Sequence, residues 1–291
     1  MEIALHTGVH LTDKDHLVRC LMRNREVLAA QGIAVPGPGS YRHQLRQIAQ
    51  DMLGRTVDAE MQETILDGFI EQDDARRVVF SSPDFIGAPR WAVGANRFYP
   101  SADEHVAAIA HLFPLARTTV YLALRDPVTF LPAMAADSRS GGVTQLLRDS
   151  DPAQLRWSEM ILRILTRAPE VDIVVWRDED TPLLWPEILR EVAGHAPETE
   201  LVGWFAWYWD LMEPKQHEAM RRWFGANPPV DDLHRRRILS AMLSRFARPE
   251  AVEAEALLPG WDEPFCDALS ALYDEDIDLI AAMPRVRLLE P

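Results

Sequence analysis

Histidine, aspartate and arginine gather in this chain at places where they could do chemistry. The first is the stretch 6–16, where His6, His10, Asp13, Lys14, Asp15 and His16 follow the apolar run Ile3-Ala4-Leu5. A loop between a parallel strand and a helix N-terminus collects main-chain N–H groups and the positive end of the helix dipole. Phosphate and sulfate groups bind at such loops. A neutral imidazole at His6 or His10 could also serve as general base toward a hydroxyl near pH 7. The second place is a set of expected strand ends: Ser81, Ser82 and Asp84, then Arg125-Asp126, then Asp178-Glu179-Asp180. Strand carboxyl ends form the usual ligand rim of an open α/β sheet. There Arg125 could fork onto an anion, or pair with Asp126 or Asp178 and close the sheet end.

Each cluster has a structural alternative. Thr12 with Asp15 three residues on reads as a capping box, and acidic residues in a first helical turn suit the dipole. The acidic triplet 178–180 could cap the helix expected after Pro182. His6 and His10 are four apart, a spacing that favours a metal on a helix, but here it crosses a strand–loop junction and no metal is expected. Arg235-Arg236-Arg237 reads as a solvated helix face. The run Trp204-Phe205-Ala206-Trp207-Tyr208-Trp209 reads as packing or as a ligand wall.

Apolar runs at 3–5, 33–35, 78–80, 119–124 and 171–176 are not alternating, which suits strands of a parallel sheet covered on both faces. Helical patterns lie between them at about 13–31, 41–53, 57–72, 102–113 and 152–167. Pro132 should break any helix begun at Pro127. The alternation predicts a three-layer, doubly wound α/β fold with a parallel sheet of about four to five strands. Over about the last hundred residues, helical patterns near 183–194, 214–224, 234–247 and 262–282 have few strands between them and predict a mainly helical extension, 196–291, on the same 1–195 α/β core, so that 1–291 forms a single domain.

With 291 residues, 47% of them hydrophobic, the chain can bury a sizeable core. The net charge of −15 argues against nucleic acid as a partner. The sequence holds no apolar run long enough to span a membrane and no basic, apolar leader, so a cytoplasmic location is expected. Cys20 and Cys266 fall in apolar helical patterns and read as buried thiols rather than a disulfide. Lys14 and Lys215 are the only lysines. The serine-hydrolase elbow, the Walker-type phosphate loop and the dinucleotide glycine fingerprint are all missing.

Leu5-His6-Thr7-Gly8-Val9-His10-Leu11-Thr12, followed by an Asn-Arg helix and Gly32-Ile33-Ala34-Val35-Pro36, resembles the opening of bacterial sulfotransferase-like proteins. These belong to the P-loop nucleoside triphosphate hydrolase superfamily. Val79-Phe80-Ser81-Ser82, Val120 to Pro127, Val174 to Glu179 and Leu272 to Asp276 resemble later family segments in the same order. The resemblance implies sulfuryl transfer from 3′-phosphoadenosine 5′-phosphosulfate to a hydroxyl or amine of a small-molecule or glycan-type acceptor. It places Gly8, Thr12, Asp13 and Lys14 on the phosphosulfate, Arg125 on the 3′-phosphate, and His10 or His6 as base.

The family lysine position is Leu11 here, and the family glycine and hydroxyls are Asp13, Lys14 and Asp15. The serine expected eight residues after Arg125 is Ala133. A phosphosulfate oxygen about 4 Å from a carboxylate would meet roughly 4 kcal/mol of repulsion at a surface-like dielectric. The alternative expectation is therefore a sulfotransferase-like fold that binds another ligand or a protein partner.

Overall fold

The apolar runs assemble into one sheet in a computed structural model that describes residues 1–248 and 258–291. In chain order the first half contains β1 (Glu2–His6), α1 (His16–Arg23), α2 (Arg25–Ala29), β2 (Ile33–Ala34), α3 (Pro38–Asp51), α4 (Ala59–Asp67) and β3 (Arg77–Ser81). A small hairpin of β4 (Val93–Gly94) and β5 (Arg97–Phe98) precedes α5 (Ala102–Ala110), β6 (Arg117–Leu124), α6 (Pro127–Ala136) and α7 (Val143–Leu147). Then come α8 (Trp157–Arg167), β7 (Asp172–Arg177), α9 (Thr181–Ala193), α10 (Pro214–Ala226), α11 (Asp232–Phe246), α12 (Glu263–Ala281) and β8 (Val286–Leu289).

The main sheet has six strands in the order β2-β3-β1-β6-β7-β8. Every pair in it is parallel. Helices cover both faces, and the arrangement is consistent with a layered fold of the Rossmann or P-loop kind. Alternate strand residues feed opposite layers, as the two-residue period of a strand requires. Val120, Leu122, Leu124, Ile173 and Val175 pack with α5, α6, α8 and α12. Ala4, Tyr121, Ala123, Val174 and Trp176 pack with α1, α9 and the segments that follow it. A third cluster joins Ile3, Leu5, Val78 and Phe80 to Tyr41 and Leu45 of α3. With neighbours on both faces, these strands have no polar side to show.

Several local expectations change. The helix expected over 13–31 is two helices, because Leu11, Lys14 and Asp15 take positive φ and α1 starts only at His16. It breaks at Asn24, whose side chain donates to Cys20 O (2.8 Å) and Val202 O (2.9 Å). α6 runs through Pro132 to Ala136. Proline removes one backbone donor there, and burial of Phe130, Leu131 and Met134 holds the helix regardless. β8 makes a sixth strand where four or five were expected; as an edge strand carrying Arg287 it lacks the continuous apolar run of the others. Cys20 is buried, but Cys266 is partly exposed, and both are free thiols. Arg235 and Arg236 are not simply solvated, since they face Glu187 of α9 at 3.9 and 3.1 Å. Among the described residues no helix is long and apolar enough to cross a membrane.

α12 holds the sheet-facing helix α8 by its first turn. The buried Asp276 carboxylate accepts from Trp157 N (2.6 Å) and Ser158 N (3.1 Å) and from the Ser158 hydroxyl. A cap is ordinarily local; this one is supplied from 118 residues away. Trp157 in turn stacks on Phe98 with centroids 3.8 Å apart and donates through Nε1 to Arg125 O at the rim. Asp276→Ala should lower the unfolding free energy by about 2–3 kcal/mol, by loss of buried charge-assisted bonds. Urea unfolding measures this, and a change within about 0.5 kcal/mol would refute the capping role.

Candidate functional site

β1 hands the chain to β2 on one side, whereas β3 hands it across β1 to β6 on the other. The connections diverge at the carboxyl ends of β1 and β3, the crevice where open α/β sheets place ligands. His6 and Ser81 end these two strands, and His6 Nδ1 lies 2.8 Å from Ser81 Oγ. The imidazole is buried and lies parallel to the Trp176 indole, with centroids 6.2 Å apart. Burial lowers its pKa, and Arg42 adds to this while Asp13 and Asp15 oppose it, so His6 is neutral at pH 7. Its Nε2 is buried and has no partner among the described residues. A buried nitrogen of that kind is costly unless something bonds to it.

His10 is fully committed. Its Nδ1 lies 2.8 Å from Tyr99 Oη and its Nε2 lies 3.1 Å from Asp84 Oδ1. The His10 main-chain N–H points at the same Tyr99 oxygen at 3.4 Å. Every group is satisfied when Tyr99 donates to Nδ1 and Nε2–H donates to Asp84. Burial pushes the Tyr99 hydroxyl far above its ordinary pKa, and the His10 bond holds the Asp84 carboxyl below the usual range. Tyr99 sits at φ 41. Arg163 pins that turn by donating to Phe98 O (2.9 Å), Pro100 O (3.1 Å) and the Asp103 carboxylate (2.6 Å). A base role for His10 would first have to break one of its two ring contacts.

The loop keeps its predicted position but spends its donors. Pairing with β6 continues past His6, because Thr7 N donates to Tyr121 O (3.0 Å) and Val9 N to Ala123 O (3.1 Å). Gly8 lies at φ +95, and a Cβ there would meet Pro83 Cβ at 3.1 Å, so glycine serves the close approach of this loop to the β3 exit. At the end of the loop the Asp13 carboxylate accepts from Asp15 N (3.2 Å) and Leu17 N (3.1 Å). The expected capping box is absent. The Thr12 hydroxyl donates to Val9 O (2.8 Å), and Asp15 makes no side-chain cap. Asp15 instead takes a two-pronged ion pair from Arg42 at 2.6 and 3.1 Å, while Arg42 Nε donates to Ser81 O (2.8 Å). Lys14 is exposed, and its ammonium has no partner among the described residues.

Arg125 reaches the same rim from β6. Its Nε donates to Thr129 Oγ1 (3.0 Å) and lies 4.0 Å from Asp178 Oδ2. Its terminal nitrogens have no hydrogen-bond partner among the described residues. Asp126 is not its ion-pair partner, because it caps α6 through Val128 N (2.8 Å) and accepts from the Ser270 hydroxyl (2.6 Å). Nor does the acidic triplet cap α9, where Asp180 makes no side-chain cap. Glu179 turns to accept from Asp126 N (2.9 Å) and lies 3.1 Å from the Tyr273 hydroxyl. Burial pushes the Asp178 carboxyl up to about 8; Glu179 and Asp13 add to the rise and Arg125 opposes it.

His6 and His10 thus face different partners, and His16 goes to Asp210 at 2.9 Å. No group of three or more metal-ligating side chains converges among the described residues. The rim gathers the carboxyl groups of Asp13, Asp15, Asp84, Asp178 and Glu179 with the Arg42 and Arg125 guanidinium groups, and Asp178 holds its proton up to about pH 8. A depression of about 540 Å³ lies at the opposite, amino ends of the strands. Its arginines are spent on carboxylates, as in Arg117–Asp172 and Arg77–Glu2, so the rim crevice is the better candidate. Arg42, Tyr99 and Ser81 matter here and were not legible as partners, since each lies far along the chain from the residue it holds. No family model, curated protein or solved structure matches this chain.

Asp178 holds its proton up to about pH 8 when folded, against an ordinary 3.8. Its contribution to stability is therefore full below about pH 4 and is lost as pH rises toward 8. Asp178→Asn has no proton to lose, so its stability relative to the wild type should increase steadily between about pH 4 and pH 8 and level off above that. Urea unfolding across that range tests this; parallel curves for the two proteins would refute it.

Proposed function

We propose that this chain has a sulfotransferase-like frame whose donor loop is closed to phosphosulfate, and that its rim crevice binds a less anionic small molecule. One observation carries the reading. The Asp13 carboxylate accepts from Asp15 N and Leu17 N, so an internal anion already holds the helix end that a phosphosulfate would need. Thr12 turns its hydroxyl back to Val9 O, and Thr7 and Val9 give their amides to β6. The residues present do not fit 3′-phosphoadenosine 5′-phosphosulfate at this loop. What they do offer is the Asp178 and Asp13 carboxyls, with the buried His6 Nε2 near Asp13. Hydroxyl or ammonium groups of a ligand match that set better than phosphate oxygens do.

Sulfuryl transfer from that donor to a hydroxyl or amine is the second reading. Arg125 favours it, because a partly exposed guanidinium with uncommitted terminal nitrogens stands at the strand end where an anion could be held.

Calorimetric titration with 3′-phosphoadenosine 5′-phosphate separates the two. The wild type should give no binding heat at millimolar ligand. Saturable binding would overturn the closed-loop reading, and its loss in Arg125→Ala would then assign the anion to Arg125.

A further inference from the structure

We infer that the cleft between α1 and the segment 203–210 is a binding site for a small aromatic carboxylate. The cleft has a volume of about 250 Å³ and is walled by Trp185, Trp204, Trp207 and Trp209. Trp185 is buried, donates through Nε1 to Trp204 O (2.9 Å) and lies nearly parallel to Trp207, with centroids 5.7 Å apart. Trp204, Trp207 and Trp209 remain partly exposed. Flat aromatic walls of this kind suit a flat, apolar ring. The volume lies below the range of about 300–1,000 Å³ typical of drug-sized pockets, which limits the occupant to one or two fused rings.

The polar complement decides the class of ligand. Arg23 of α1 lies against Gly203, where a Cβ would come within 2.5 Å of its guanidinium nitrogen. Gly203 also takes φ +84, so glycine both starts the turn and leaves room for the guanidinium. Arg23 has no hydrogen bond or ion pair with any described residue. Of the other polar groups of the lining, Trp209 Nε1 is a buried donor without a hydrogen-bond partner among the described residues, and the charged ones are spent. His16 and Asp210 bond each other at 2.9 Å, and Arg19 donates to the Asp15 (3.2 Å) and Lys14 carbonyls. The cleft therefore offers one uncommitted cation and one indole N–H, and no ladder of donors and acceptors. A sugar would leave its hydroxyls unpaired there, whereas an aromatic ring with a single carboxylate would not.

The test is calorimetric titration of the full chain with 2-naphthoate, with 2-naphthylmethanol and glucuronate as comparisons. Wild type should bind 2-naphthoate, and Arg23→Gln should weaken that binding roughly tenfold or more. Arg23→Lys should restore part of it. The neutral alcohol should bind wild type no more tightly than naphthoate binds Arg23→Gln. Arg23 is exposed, so Arg23→Gln should keep the thermal midpoint of the wild type. Absence of naphthoate binding at millimolar concentration, equal affinity in Arg23→Gln, or glucuronate binding as tightly as naphthoate would each overturn the inference. The cleft lies apart from the rim crevice, and none of these outcomes bears on the nucleotide titration.

Discussion

β1 is hydrogen-bonded along both edges, to β3 and to β6, and the second pairing runs past His6 until Val9 N meets Ala123 O. A strand held on both sides cannot shift its register without turning its buried side chains to the wrong layer. Its exit is therefore fixed, and so is the point where the chain must leave the sheet. Everything at the rim is measured from that exit: His6 against Ser81, Gly8 against Pro83, His10 against Tyr99 and Asp84. The same pairing consumes the Thr7 and Val9 amides, which leaves the loop fewer donors for a ligand.

Charge completes the picture. A helix amino end attracts an anion, and here Asp13 of the chain itself supplies it, with Asp15 neutralised by Arg42. Farther along the rim, Asp178 is pushed by burial and by neighbouring carboxyls toward its protonated form, and Arg125 and the Thr181 hydroxyl oppose this. A polyanion entering the crevice would meet carboxylates that already hold the local donors. By contrast, Arg23 of α1 has no hydrogen-bond or ion-pair partner among the described residues and stands beside indole walls. The same helix therefore adjoins both an acidic crevice and a basic, aromatic cleft.

Much of the architecture was legible because burial on both faces leaves a mark in the residues themselves. The runs 3–5, 78–80, 119–124 and 171–176 each lie within an observed strand or overlap it by all but one residue. β8 left no such mark, since an edge strand with Arg287 exposed can afford polar positions. Helix ends were harder to read. Local preference pointed to Thr12 and Asp15 as a box, yet Asp15 found a better partner in Arg42 of α3, and Asp13 took over the amides. Pro132 was overruled by the burial of its neighbours, and the cap of α8 came from Asp276 on a distant helix.

By itself the sequence determined that the chain builds an α/β sheet with a loop at the end of a central strand, because apolar periodicity and loop length are local properties. It also placed His6, His10, Asp13, Arg125 and Asp178 near strand ends. Which of them are free and which are spent was decided only by the tertiary structure. Hydrogen-bond partners and desolvation depend on groups far apart in the chain: His10 is taken by Tyr99 and Asp84, and Asp15 by Arg42. Among the described residues, His6 keeps one buried nitrogen unpaired, and Arg23 keeps its charge unmatched beside four tryptophans. Those distinctions arise when the sheet closes, since packing sets both the neighbours of each polar atom and the water it loses.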